Sequence, residues 1–128
     1  MQWYLQFHTD TSIRQEQVIG FLKHLLRHLP GAAIVIWDRL NAHRGRQVRD
    51  WLKTHRRITV EYLPPYAPEL NPNEYGWSHL KTNDLANYCP EDVDQLQARV
   101  VVAANAARSR QTLLRGFFKA SGLPIRQK

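Results

Sequence analysis

Apolar and polar positions alternate from the first residues, with Trp3, Leu5 and Phe7 on one side, and this two-residue period predicts a half-buried strand over Trp3–His8. Ser12 and Gln15 have the spacing of a capping box. Val18, Leu22, Leu25 and Leu29 then recur at threes and fours, so a helix is expected up to Pro30-Gly31. Ala32–Trp37 is a short unbroken apolar run rich in Ile and Val, the pattern of a strand covered on both faces in a parallel sheet. Asp38 stands at its carboxyl end. His43–His55 reads as a helix with Val48, Trp51 and Leu52 inward and Arg44, Arg46, Arg49 and Lys53 outward. Ile58–Leu63 alternates again, with Ile58, Val60 and Tyr62 on one face of a strand.

After that strand the pattern is broken by Pro64, Pro65 and Pro68, which fix φ and forbid regular pairing, so a stiff extended arm is expected. The arm leads to a helix with a marked start. Asn71 is a favoured N-cap, Pro72 suits the first helical position, and Glu74 has the capping-box spacing; the helix should run to about Tyr88. Pro90, Glu91 and Asp92 open another helix whose inward face is Val93, Leu96, Val100, Ala103, Ala104 and Ala107, small enough to pack closely on a sheet. Leu113, Leu114, Phe117 and Phe118 mark a short last helix, and Gly122-Leu123-Pro124 ends structure. Successive strand–helix–strand passages favour right-handed crossovers, and the fold class expected is α/β with a small, mostly parallel sheet and flanking helices. One domain over residues 1–120 and a tail over 121–128 is the expected division. A strand that opens so abruptly, with no hairpin partner before it, predicts the latter part of a larger fold.

Composition narrows the partners. A chain of 128 residues with 43% hydrophobic content is enough for one core. Its formal charge of +7 points to a polyanion, nucleic acid before membrane, because no stretch approaches the apolar length that spans a bilayer. The single cysteine, Cys89, excludes an internal disulfide, and the first residues lack the order of a signal peptide, so a cytoplasmic location is expected.

In an open α/β sheet, chemistry collects at the carboxyl ends of strands and in the loops beyond them. Asp38 meets that rule, and the proline arm delivers Glu74 from the neighbouring strand. Two carboxylates meeting there among Arg and Lys would make a hard oxygen site suited to Mg²⁺ and phosphodiester chemistry. Each acid also has a structural reading: Asp38 as a cap for the following helix, Glu74 as a capping-box member. His43 is open to two roles, a contact to phosphate or loop backbone and a cap or surface group. His24 and His28 have helical metal-ligand spacing but no third ligand nearby, which favours a solvated face. Arg39, Arg44, Arg46, Arg49, Lys53, Arg56 and Arg57, with Asp50 the only acid among them, could track DNA phosphates or form a solvated surface. Trp77 and Tyr66 are expected as core and arm anchors rather than base-stacking platforms.

The run Val35-Ile36-Trp37-Asp38-Arg39-Leu40-Asn41-Ala42-His43, followed by Leu63-Pro64-Pro65-Tyr66-Ala67-Pro68-Glu69-Leu70-Asn71-Pro72-Asn73-Glu74, resembles the DDE transposases of bacterial insertion sequences in the mariner superfamily. Trp77, Leu80 and Lys81 match the Trp-x-x-Leu-Lys that closes the family pattern, and a looser likeness extends from about Trp3 to Phe118. The resemblance implies an RNase H-like fold, truncated at its N-terminus with the first strands missing. Asp38 would be the second and Glu74 the third metal-binding catalytic acid, holding Mg²⁺ or Mn²⁺ for DNA cleavage and strand transfer in transposition. Arg39, His43, Arg44, Arg46 and Lys81 would be nucleic-acid contacts, and the working protein would associate with the bacterial nucleoid. The family's first Asp lies on the first strand, upstream of everything here, and Asp10 does not take its place; the isolated chain is therefore expected to be inactive. The alternatives are a non-catalytic nucleic-acid-binding remnant and a self-associating one. Exposed sheet edges left by missing strands predict a two-fold homodimer; the alternative, Trp3–His8 pairing directly with Ala32–Trp37 in a small three-stranded sheet, predicts a monomer.

Overall fold

The computed structural model describes residues 1–124, and the end of the expected tail, residues 125–128, lies outside the described residues. Contacts divide the chain into two compact units, His8–Ala67 and Met1–Phe7 with Pro68–Lys128. The architecture is mixed α/β, with a parallel sheet of two strands among the described residues.

The unit His8–Ala67 runs α1 (Gln15–His28), β1 (Ala33–Trp37), α2 (Asn41–Arg44), α3 (Arg46–Thr54) and β2 (Ile58–Tyr62). β1 and β2 pair in parallel with Ala33 opposite Ile58 and Trp37 opposite Tyr62, the strand–helix–strand passage that the sequence predicts. Val18 and Leu22 of α1, Val48 of α3 and Ile58 of β2 form the buried core, with Val35, Trp37, Trp51, Leu52 and Val60 packed around it. β1 is not covered on both faces as its apolar run suggested. Ile34 and Ile36 are 71% and 53% exposed, and their cross-strand neighbours Thr59 and Glu61 are exposed too, because α1 and α3 cover one face of this sheet only.

Two helix boundaries in this unit also differ from expectation. α1 starts at Gln15, with Arg14 as N-cap and the Gln17 side chain accepting the Arg14 N–H at 2.9 Å, so the Ser12 capping box is not used. The helix expected over His43–His55 breaks at Gly45. The Gln15 carboxamide fills the break, its Oε1 accepting from the backbone N–H groups of Gln47 (2.9 Å) and Val48 (3.4 Å) and so capping α3 from another helix. The far end of α1 is held by Arg57, whose guanidinium donates to the carbonyls of Gly31, Leu26 and Leu29.

In the other unit the N-terminal segment precedes a 3₁₀ turn (Pro68–Leu70), α4 (Pro72–His79), a π-helical turn (Leu80–Asp84), α5 (Val93–Arg108) and α6 (Gln111–Ser121). Trp3–His8 forms no strand. Its alternation is nevertheless real, since Trp3 is buried, Leu5 and Phe7 are partly buried, and Tyr4 and Gln6 face out. Trp3 packs edge-on against Trp77 (6.1 Å) and Phe117 (6.3 Å) in a core completed by Leu80, Val100, Ala103, Ala107 and Leu114. The small-residue face of α5 thus meets helices and Trp3 rather than a sheet, and Val93 and Leu96 turn outward. α5 begins later than expected, at the Asp92 cap, whose carboxylate accepts from Gln95 N–H at 2.8 Å. The helix expected to reach Tyr88 ends at Asp84. There Thr82 donates to the Ser78 carbonyl and Asn83 to that of His79, and these side-chain competitors open the ladder into a π turn closed by Leu85 N–H to Leu80 O at 2.8 Å.

Candidate active site

Asp38 follows β1 directly, and its side chain is 54% exposed. Its Oδ1 accepts the Leu40 N–H at 3.0 Å, which turns the loop, while Leu40, not Asp38, is the N-cap of α2. His43 Nδ1 lies 2.9 Å from the same Oδ1 and 3.2 Å from the Asp38 carbonyl. Both neighbours are acceptors, so Nδ1 carries the hydrogen, and Nε2 is left as the outer nitrogen. The imidazole is stacked on the Trp37 indole, 4.4 Å between centroids and 3° from parallel, which fixes its plane. His43 thus touches the loop backbone at the Asp38 carbonyl as well as the Asp38 carboxylate.

The Asp38 loop is stitched to the root of the proline arm. Leu63 N–H donates to Trp37 O at 2.8 Å, and Arg39 Nε donates to Leu63 O at 3.2 Å with its guanidinium over the Tyr62 ring. Arg39 is thereby partly spent on structure. Arg44 donates to Asn41 Oδ1 at 2.9 Å, and Arg46 lies 3.7 Å from Asp50, which also draws in Lys53. The indole Nε1 of Trp37 is buried and has no hydrogen-bond partner among the described residues.

Glu74 belongs to the other unit, in the first turn of α4. Asn71 caps this helix as expected, but its side chain accepts from Asn73 N–H at 3.1 Å, and the Glu74 N–H goes to the Asn71 carbonyl at 3.0 Å. The reciprocal half of a capping box is absent among the described residues, because the Asn71 N–H is already taken by the Pro68 carbonyl of the 3₁₀ turn at 2.9 Å. Glu74 is exposed, and no hydrogen bond or ion pair engages its carboxylate among the described residues. Lys81 lies in the π turn that follows α4, exposed. Tyr75 ties α4 to its surroundings, its hydroxyl donating to Glu69 O and Ala120 O.

His24 and His28 stand on the exposed side of α1, and no group of three His, Cys, Asp or Glu side chains able to hold a metal occurs among the described residues. Trp77 is a core residue, as expected. Tyr66 is not an anchor: its side chain is fully exposed. The run of prolines around Tyr66 carries no signal that tells an inward ring from an outward one.

Residues 2–97 match the family described as DDE superfamily endonuclease, and the chain belongs to that family. It is also similar to the "Uncharacterized protein y4pE/y4sA" of Sinorhizobium fredii (strain NBRC 101917 / NGR234), with 36% identity over 73 residues, 57% of this chain. The match spans about half of that relative's length, 51%. No solved structure matches the chain.

Proposed function

We propose that this chain is part of a transposase catalytic domain of the mariner type, RNase H-like in fold, in which Asp38 and Glu74 together hold Mg²⁺ or Mn²⁺ for DNA cleavage and strand transfer. The reading rests on the family, and one observation carries its assignment of Glu74: α4 is capped without Glu74, so that carboxylate has no structural task. Asp38 fits the same role with its second oxygen, since Oδ1 alone serves the Leu40 N–H and His43. The donors are hard oxygens, as Mg²⁺ requires. The ion, when bound, would polarise a phosphodiester and lower the pKa of an attacking water or 3′-hydroxyl.

The chain's own residues would do the rest. Arg39, Arg44, Arg46 and Lys81 would attract the DNA backbone, and His43 would hold the Asp38 carboxylate in one orientation through its Nδ1–H. Two acids suffice for one ion, whereas in-line displacement is best served by two ions sharing ligands. Cleavage by this chain alone is therefore proposed to be negligible. The site of action would be the bacterial nucleoid, and the DNA ends it joins would be those of an insertion sequence. Calorimetric titration with Mn²⁺ tests the assignment. One site should be present in the parent chain and lost in both Asp38→Asn and Glu74→Gln; a site that survives either substitution would remove that residue from the metal-binding pair.

A further inference from the structure

Tyr66 combines two costs that the fold does not recover. Its φ of +57° lies in the left-handed region, which Gly or Asn ordinarily supplies in a turn. Its side chain is fully exposed, and neither ring nor hydroxyl makes a hydrogen bond or an aromatic contact among the described residues. Exposed loops carry Tyr commonly, and turns carry positive φ commonly, but a bulky residue held at positive φ with nothing packed on it is strain without a structural return. Pro64, Pro65 and Pro68 make the backbone here stiff, so the point from which the ring projects is fixed. The root of this arm is the same Leu63 that is bonded to Trp37 and Arg39 on either side of Asp38.

The geometry points to Tyr66 as a stacking platform for an unpaired nucleobase of the DNA, a contact that rests on the function proposed above and adds a residue to it. A presented aromatic face suits a base because every base has a π-face, and such stacking is tolerant of sequence. An unpaired base fits better than a paired one, since the faces of a paired base are already stacked within the duplex. The unit that carries Tyr66 is rich in exposed Arg, with Arg44, Arg49 and Arg56 all on its surface, which favours a nucleic-acid occupant over an apolar protein one.

The test uses the full chain and a DNA duplex carrying a single-stranded gap with 2-aminopurine in it, beside the same duplex fully paired. Tyr66→Phe and Tyr66→Trp should keep gapped-DNA affinity and quench the probe. Tyr66→Ala and Tyr66→Gly should lose about tenfold on the gapped DNA, within the range that one stacked base gives, and little on the paired duplex. Tyr66→Gly adds a control on folding. It accepts positive φ without strain, so its thermal midpoint should equal or exceed that of the parent while base binding falls. Equal gapped-DNA affinity in the parent and in Tyr66→Gly overturns the inference. So does a loss of oligomeric mass in Tyr66→Ala with DNA affinity unchanged, which would make Tyr66 a protein contact. The Mn²⁺ titration separates the two levels: a metal site that needs Asp38 and Glu74 in a chain whose Tyr66 is dispensable sinks this inference alone, whereas loss of that site sinks the parent reading.

Discussion

Glu74 and Asn71 share one helix start and do different work. Removing the Asn71 cap with Asn71→Ala should cost about 1 kcal/mol in chemical unfolding, because the Asn73 N–H loses its acceptor. Glu74→Gln should cost a few tenths of a kcal/mol, the share of a charge at a helix N-terminus, since no bond to its carboxylate is broken. Equal and large losses would restore the capping box and take Glu74 away from the metal. The identity of both residues and their spacing were legible in the sequence. Which of them does the capping was not, because it depends on the Pro68 carbonyl having already claimed the Asn71 N–H. Gly76 adds a second expectation at this scale. A Cβ there would stand 2.8 Å from the buried Trp3 ring, so Gly76→Ala should destabilise by about 1–3 kcal/mol.

In the N-terminal segment, sidedness was read correctly where hydrogen bonding was not. Trp3–His8 keeps its two-residue alternation but finds no strand edge, and Trp3 is buried among helices instead. An apolar run cannot tell one covered face from two, which is why the exposure of Ile34 and Ile36 was hidden. The break at Gly45 was hidden for another reason: its filler, Gln15, is far away in sequence. Gly45 has an ordinary φ of −63°, so it is needed for room rather than for conformation. A Cβ there would fall 1.9 Å from the Gln15 carboxamide carbon. Gly45→Ala should therefore expel Gln15 and cost about 1–2 kcal/mol through the two amides it caps, and Gln15→Ala should cost nearly the same with the double variant no worse.

At the scale of the whole molecule, the basic excess and the unpartnered sheet bear on association. β1 and β2 each have an edge without a strand partner among the described residues, and Ile34 and Ile36 lie bare on the sheet face. A homodimer is the expected state, checked by light scattering at micromolar concentration: a mass near twice 15.0 kDa is predicted, and 15.0 kDa at every concentration would contradict it. The strands Ala33–Trp37 and Ile58–Tyr62 and their parallel order were within reach of the sequence, because they follow from its period, whereas the strand expected at Trp3–His8 does not form. The pairing of Asp38 with Glu74 is the central claim, and metal-directed backbone cleavage tests it most directly. With Fe²⁺ in place of Mg²⁺, and with ascorbate and peroxide, hydroxyl radicals form at the bound ion and cut the chain nearest to it. Cuts should cluster at both Asp38 and Glu74 and disappear together when excess Mg²⁺ is added; cuts at one acid without the other would contradict a shared ion.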